Sequence, residues 1–525
     1  MLTRLVEIIL LTLLLYPLGK SLLQAGGNNI SISFLESILA GFFIASTWVY
    51  LLAFAFPVSP LMLLPLIILS AFLLIYRVRK HKISRQALTN YWPAFLLSAA
   101  IASLPIMLPD YGIYYYQTVL ALNEYGWLKG IANLEPRFAL GSSIHVFAAA
   151  TKSTYGPPLS INGMLFCAFI TQAIRSYLHR DFQIGAYWTL VLILSFPFIF
   201  LMLSSQSPDV LGLVIFAALI DNEFLKKHPN RFLTGILISM AVLLKPNVAY
   251  SALVFGLVSL LSKPPQKKEY LPVTALFTVA AAAYISKNIV TSGFPLFPIS
   301  FARLGLPWSV PKEALSEALQ TLREGQVYAV ESPLEETGYL RYILFDAGLK
   351  SVLNWFTFIG FLGLLVLAWF NRKSRIIAGM AISALLIIPV WMTMNTTPNF
   401  RLGMHFLIPM LAIIVLFLAD KQIRKVRTDR AVQALKYGSI LISLGLFVMP
   451  DIDLSRVVQN QYYSKLHFLQ IENLLQPLQL KRTVRERSQG FPRVYYDLYP
   501  DHKAVYVEEQ NMYVLLPEET PAKAD

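Results

Sequence analysis

Residues 184–204 of the chain read IGAYWTLVLILSFPFIFLMLS, and none of these 21 residues carries a charged side chain. An apolar stretch of about 20 residues can cross the hydrocarbon core of a membrane as a helix. Similar runs recur along most of the 525-residue chain, which is 56% hydrophobic and only 14% charged. Soluble domains carry about 25% charged residues. The composition therefore excludes a soluble enzyme, a disordered chain and a fibrous protein, and it indicates a polytopic helical membrane protein.

The apolar runs predict about 14 transmembrane helices in an all-α membrane domain over residues 1–449. Their predicted bounds are 5–24, 31–56, 58–76, 91–108, 158–176, 184–204, 209–225, 232–247, 248–262, 271–287, 350–371, 376–394, 404–420 and 433–449. The segment 138–155 is only moderately apolar, and we interpret it as a helix in or near the external interface. Residues 450–525 are more polar and contain Tyr- and Val-rich alternation, which predicts a small external α+β domain.

Basic residues assign the two sides of this arrangement. They cluster in six loops that fall on one side of the predicted spans, namely 77–85, 175–180, 226–231, 263–268, 372–375 and 421–430. The positive-inside rule makes that side cytoplasmic. The longer loops 109–157 and 288–349 then face the periplasm or exterior. We therefore expect a multi-pass protein of a bacterial inner membrane, whose formal charge of +14 reflects topology and not a nucleic-acid partner.

Several reactive chemistries lack their sequence signatures. The single cysteine, Cys167, lies in an apolar run, so neither an intrachain disulfide nor a cysteine-based metal site is available. The sequence contains no phosphate-binding loop, dinucleotide fingerprint, HExxH zinc signature or GxSxG elbow. Nothing therefore supports an ATP-driven pump, a dehydrogenase or a zinc protease.

Polar residues with chemical potential collect in the first large external loop. Asp110 directly follows a predicted span and is surrounded by tyrosines, so its carboxylate is suited to act as a base or a metal ligand. The alternative is a helix-capping residue within an aromatic belt. Asn, Tyr and Trp side chains typically line sugar sites, and Arg suits phosphate. Further candidates for substrate binding in this loop are Tyr114, Gln117, Glu124, Asn133, Glu135 and Arg137.

Four more candidates follow in later external segments. Asp209 could pair with Asp110 at a divalent metal ion (Mg²⁺ or Mn²⁺), although Ser207-Pro208-Asp209 also fits a helix start. Lys287 ends a span, where it either contacts a lipid phosphate or extends to the interface. Arg401 begins a span, where an anionic headgroup would favour it. His405 lies one turn further on the same face, and a packed or capping role is the simpler interpretation.

These motifs together resemble a bacterial family of largely uncharacterised polytopic proteins that are similar to GT-C glycosyltransferases. The corresponding positions here are Asp110, Gly112, 114–117, 123–126, 132–134 and Arg137, then 287–288, 293–298 and 398–403. The resemblance covers roughly residues 105–405. Histidines common after the Gly-x-Tyr and before the arginine are replaced here by Tyr115 to Gln117 and by Glu135-Pro136, which argues against a catalytic histidine.

The resemblance implies an external active site and a sugar donor linked to polyprenyl phosphate. Asp110 would be the general base of an inverting transfer to a glycan, lipid or protein acceptor, and Asp209 would position a metal or the acceptor. Lys287, Arg137 and Arg401 would hold the leaving phosphate. The alternatives are a polymerase or ligase of lipid-linked glycans, and a transporter or flippase. A transporter would place its charges near the membrane midplane, whereas an enzyme would place them at one external rim.

Overall fold

The structure, a computed structural model, describes most of the N-terminal three-fifths of the chain and parts of the remainder. The described residues are 1–26, 32–80, 85–104, 115–134, 136–152, 158–179, 181–226, 228–262, 267–299, 302–312, 315, 362, 381–387, 400–418, 428–448, 502–507 and 512–517. The predicted span 350–371 lies outside this part except for residue 362, and of the predicted span 376–394 only 381–387 is described, as helix.

The described part is predominantly α-helical. Its α-helices are α1 Leu2–Ala25, α2 Phe34–Leu52, α3 Leu64–Lys80, α4 Arg85–Ala102, α5 Tyr116–Tyr125, α6 Ser143–Thr151, α7 Ile161–Leu178, α8 Phe182–Met202, α9 Pro208–Ile220, α10 Arg231–Leu244, α11 Pro246–Ser262, α12 Lys267–Ser292, α13 Phe400–Leu418 and α14 Thr428–Val448. Short 3₁₀ segments occupy Pro60–Leu63, Ile131–Asn133 and Pro136–Leu140, and a π-helical turn, Asp221–Leu225, continues α9.

Helix boundaries follow local sequence chemistry. Ser33 begins α2 with a capping box, in which its main-chain N–H donates to the Glu36 carboxylate over 2.8 Å and its hydroxyl accepts from the Glu36 N–H over 3.1 Å. Ser207 and Pro208 begin α9 in the same sequence context that predicts a helix start. Helix α10 ends at Leu244 because the following pair, Lys245-Pro246, cannot continue it.

Four of the helical segments are long and apolar enough to cross a membrane, judged by length and composition within the described residues. They are Leu2–Ala25, Phe34–Leu52, Pro60–Arg79 and Tyr270–Ser292. Shorter apolar helices occur at Phe182–Phe196, Arg231–Leu244, Pro246–Ser259 and Gly403–Leu416. The protein is therefore a helical membrane protein, in which helices occupy most of the predicted span positions that the structure describes.

Contacts between helix ends sort into the two groups that the charge pattern predicts. At the predicted cytoplasmic end, Lys226 pairs with Glu36 at the start of α2, and Arg231 pairs with Glu223. At the other end, Asn162 at the start of α7 donates to the carbonyl of Ser205, which precedes α9, over 2.8 Å. The starts of α2 and α10 therefore lie at the end of α9, whereas the start of α7 lies beside the start of α9.

Near the C-terminus the structure describes an antiparallel hairpin. Strands β1 His502–Val507 and β2 Met512–Pro517 pair with His502 opposite Pro517. Strand β2 lies against the 3₁₀ turn Ile131–Asn133 of the first predicted external loop. The hairpin lies within residues 450–525, for which the sequence predicts a small α+β domain, and the rest of that segment lies outside the described residues.

Candidate functional site

The two long loops that the sequence predicts on the external side pack against each other. The Asn133 side-chain amide donates to the Trp308 carbonyl over 2.9 Å, and the Gly130 N–H donates to the Val290 carbonyl over 2.9 Å. A third link joins helix α12 to the segment Pro136–Leu140 through Lys287. Residues 148 to 175 positions apart in sequence thus meet at the predicted external end of the helices.

Lys287 is a buried cation in this region. It lies five residues before the end of α12 and is only 1% exposed. Its Nζ donates to the Ala139 carbonyl over 2.6 Å and stands 4.9 Å from the ring centre of Tyr284 and 5.9 Å from that of Trp127. Among the described residues no carboxylate forms an ion pair with it. Such a cation is costly to bury without an anionic partner.

Asp209 and Lys245 form a buried ion pair at the same end. Lys245 Nζ lies 2.6 Å from Asp209 Oδ1, and the Ser207 hydroxyl donates to Asp209 Oδ2 over 3.2 Å. Asp209 is 4% exposed and lies in the first turn of α9, where the helix dipole favours a negative charge. Lys245 reaches it because the helix break at Pro246 leaves this lysine at the end of α10.

The contacts of Asp209 bear on the predicted metal site. Both carboxylate oxygens already accept hydrogen bonds, one of them from an ammonium group. Within the part of the chain that the structure describes, no three His, Cys, Asp or Glu side chains are grouped closely enough to hold a metal ion. Asp209 thus already has an ammonium partner, while Asp110, its predicted partner at a metal ion, lies outside the described residues, so the metal site stays a prediction.

His145, on the nine-residue helix α6, completes the site. This histidine is 1% exposed. The Ser142 N–H donates to His145 Nδ1 over 3.2 Å, and the Tyr115 ring lies 5.0 Å from the imidazole, centre to centre. Burial, the largest cause, and the charges of Lys245 and Lys287 lower the pKa of His145 to about 3, against a smaller opposite effect of Asp209. The imidazole is therefore neutral at physiological pH.

We call Lys287, Asp209, Lys245 and His145 the external cluster, after the side to which the charge pattern assigns it. It combines two ammonium groups, one carboxylate and one neutral imidazole; three of the four side chains are buried, and that of Lys245 is 12% exposed. Ammonium groups bind phosphate oxygens as compact point charges, and the low local dielectric strengthens this attraction. The arrangement is thus suited to bind an anionic group near the membrane surface.

The structure places the other predicted site residues in varied settings. Gln117 is buried within α5, Arg137 is half-buried, and Glu124 is exposed, where its carboxylate accepts from the Tyr125 hydroxyl over 2.8 Å. Asn133 links the two loops as described above. Arg401 lies in the first turn of α13, and the structure does not describe its side chain. Asp110, Tyr114 and Glu135 also lie outside the described residues.

His405 is buried beside Ser251 and two phenylalanine rings. Its Nε2 lies 3.0 Å from the Ser251 hydroxyl, and its ring contacts Phe216 and Phe406 edge-on, with ring centres 6.1 and 5.2 Å away. It is 3% exposed. These are the contacts of a packed histidine, and a role of His405 in substrate binding stays a prediction.

Two residues of the Asn123-Glu-Tyr-Gly126 motif have a structural role. The Asn123 amide donates to the carbonyls of Val58 and Ala149 over 2.7 and 2.9 Å. Gly126 has a φ of +69°, and a Cβ there would lie 2.4 Å from the Ala53 carbonyl oxygen. Both residues fix the loop after α5 against the end of α2, since only glycine tolerates this conformation and approach.

Sequence reasoning missed His145 and Lys245. Lys245 falls inside the predicted span 232–247, and the Lys-Pro pair was the available signal that the helix ends there. For His145 the local signal was Ser142 three positions earlier, a capping box in which histidine replaces the usual Glu or Gln. Their closeness to Asp209 and Lys287 depends on tertiary packing.

The helices and the external cluster define a helical membrane protein with a buried polar site at one end of its helices. One protein-family model covers most of these helices and the external cluster. Residues 1–408 match the model of DUF8201, a domain of unknown function, and the chain therefore belongs to that family. The matched region includes the whole external cluster. No curated protein and no solved structure matches the chain.

Proposed function

We propose that the protein is an inverting membrane glycosyltransferase of GT-C type. It transfers a sugar from a polyprenyl-phosphate donor to a glycan, lipid or protein acceptor on the periplasmic or external face of a bacterial inner membrane. In this proposal the chain crosses the membrane about 14 times. Residues 450–525 form a small external domain, to which the C-terminal hairpin belongs.

The observation that carries the proposal is the external cluster, and above all Lys287. A buried lysine without a carboxylate partner among the described residues requires compensation. A polyprenyl phosphate supplies it, because its lipid tail stays in the bilayer while its phosphate lies at the membrane boundary. The aromatic rings of Tyr284 and Trp127 beside this lysine are also typical of sugar sites.

The proposed reaction uses groups on both sides of the anomeric carbon. The acceptor hydroxyl attacks this carbon and passes its proton to the Asp110 carboxylate as the new glycosidic bond forms. The bond from the anomeric carbon to the phosphate oxygen breaks, and the electron pair leaves with the polyprenyl phosphate. Lys287 stabilises this leaving phosphate, with Arg137 and Arg401 as further candidates. No step requires a metal, and Asp209 orients Lys245.

The position of the buried charges favours an enzyme over a transporter. Asp209 and Lys245 lie at the external ends of α9 and α10, and Lys287 lies near the end of α12. The ion pair Arg231–Glu223 lies at the other ends of α9 and α10. The ion pairs Arg4–Glu7 and Lys226–Glu36 also lie near helix ends. Charges at the rims are expected for interfacial chemistry, whereas alternating access needs them near the midplane.

The proposal is tested by the surface-glycan profile of cells, measured by gel and mass spectrometry. Cells with Asp110→Asn or Lys287→Met should lose the same sugar as cells in which the gene is deleted. Blotting of membranes establishes equal abundance of the variants. Asp181→Asn is the matched control, because this carboxylate caps α8 at the predicted cytoplasmic end.

Two outcomes contradict the proposal. In one, the deletion leaves every surface glycan unchanged. In the other, the deletion removes a sugar but both variants match the wild type at equal abundance, which would exclude the assigned base and phosphate ligand.

A further inference from the structure

His145 presents a buried hydrogen-bond donor that meets no acceptor among the described residues. A main-chain N–H can only donate, so the bond from Ser142 makes His145 Nδ1 an acceptor that carries no proton. The proton of the neutral ring must then reside on Nε2. In the part of the chain that the structure describes, Nε2 is fully buried and makes no hydrogen bond. Buried donors of this kind are rare in native proteins and call for an explanation.

An acceptor for the Nε2–H of His145 would lie near the positive charge of Lys287. The segment Pro136–Leu140 receives the hydrogen bond of Lys287 at Ala139, and His145 follows six residues later on the next helix. A water molecule could accept from Nε2–H, but it would leave the charge of Lys287 uncompensated. An anionic oxygen compensates both the donor and the cation.

We propose that His145 donates its Nε2–H to an oxygen of a phosphate group bound beside Lys287. This inference rests on the proposed function and assigns the residue that orients the phosphate of the donor and of the product. His145 does not act as a base here, because Nδ1 is occupied by the main chain and Nε2 already carries a proton. The phosphate belongs either to a lipid or to free phosphate, and the two sources are separable by experiment.

The sequence offers a matched pair of variants at this position. Gln and Glu at the third residue of the helix both complete a capping box with Ser142, so both keep the fold of α6. His145→Gln keeps a donor that can point along the path of Nε2–H. His145→Glu has nearly the same shape but presents only acceptors, and its negative charge repels phosphate.

The experiment is native mass spectrometry of the detergent-solubilised full chain with three probes: a polyprenyl phosphate, the corresponding uncharged polyprenol, and inorganic phosphate. We expect the wild type and His145→Gln to bind the polyprenyl phosphate with dissociation constants within a few-fold of each other. Loss of a hydrogen bond to a charged group weakens binding by about 10–100-fold, so His145→Glu should bind at least about tenfold more weakly. The polyprenol should bind all three proteins weakly.

The outcomes separate this inference from the proposed function. Equal binding of polyprenyl phosphate by His145→Glu and the wild type overturns the inference, as does binding of no phosphate probe. Phosphate binding that depends on His145, together with an unchanged glycan profile on deletion, supports the inference and contradicts the glycosyltransferase proposal. Preference for inorganic phosphate over the lipid, again dependent on His145, supports the donor role and assigns the ligand to free phosphate.

Discussion

The ion pair between Asp209 and Lys245 can be tested by removing its members separately and together. The variants are Asp209→Asn, Lys245→Met and the double substitution. Asn keeps an oxygen that can accept from the Ser207 hydroxyl, and Met keeps most of the apolar length of the lysine side chain. The three variants therefore change charge with little change in volume.

The expected magnitudes follow from burial. The Asp209 side chain is 4% exposed and that of Lys245 is 12% exposed, so each single variant leaves a charge that water cannot reach well. Removing one partner of a buried pair costs about 3–5 kcal/mol, whereas replacing both partners is often close to neutral. The double variant should thus be more stable than either single variant, with a coupling energy of at least about 2 kcal/mol.

Unfolding in mixed detergent micelles, followed by fluorescence of the protein's eight tryptophans, measures these free energies. The glycan profile of cells that carry each variant measures function. We expect the double variant to recover stability but not activity, because Lys245 also supports the positive setting of the external cluster. Additive losses of stability would refute the reasoning about the pair, and recovery of activity would show that the pair is purely structural.

Three further predictions concern single positions. Lys287→Met should unfold at a temperature no lower than the wild type, since it removes an unpaired buried charge, yet it should lose activity; Lys20→Met, at a half-exposed lysine, is the control. Gly126→Ala should lower membrane yield and the unfolding temperature far more than Gly305→Ala, because both have positive φ but only Gly126 meets a main-chain oxygen. Thermal unfolding should become easier as the pH falls from about 6.5 towards 3, because the unfolded chain protonates His145 (reference pKa 6.5) and the folded chain, with its pKa near 3, does not. His145→Gln should flatten that part of the profile, and an identical profile would contradict the assignment.

The lengths of the apolar runs and the distribution of basic residues among the loops predict much of the helix arrangement. The run 184–204 corresponds to α8, Phe182–Met202, and the run 5–24 corresponds to α1, Leu2–Ala25. These agreements have a physical basis, because an uncharged stretch of this length has few stable alternatives to a helix in a membrane. The grouping of basic loops likewise anticipates that Lys226 and Glu36 lie at the same end.

The external cluster was only partly predictable. Asp209 and Lys287 stood out because each is a lone charge at the boundary of an apolar run. The sequence does not show the surroundings of these residues, because the pairing of Asp209 with Lys245 depends on how α9 and α10 pack. His145 lies in a segment whose apolar character is intermediate, and the sequence alone does not reveal that packing buries it completely. Long-range packing is the information that local patterns lack.

The central claim, consumption of a polyprenyl-phosphate-linked sugar, is tested most directly in lipid extracts. Mass spectrometry of extracts from wild-type cells, deletion cells and cells with Lys287→Met would show which lipid-linked sugars change. We expect one polyprenyl-phosphate sugar to accumulate in the deletion and in Lys287→Met cells, and its sugar to be the one lost from the surface. Unchanged levels of every polyprenyl-phosphate sugar in the deletion would contradict the claim.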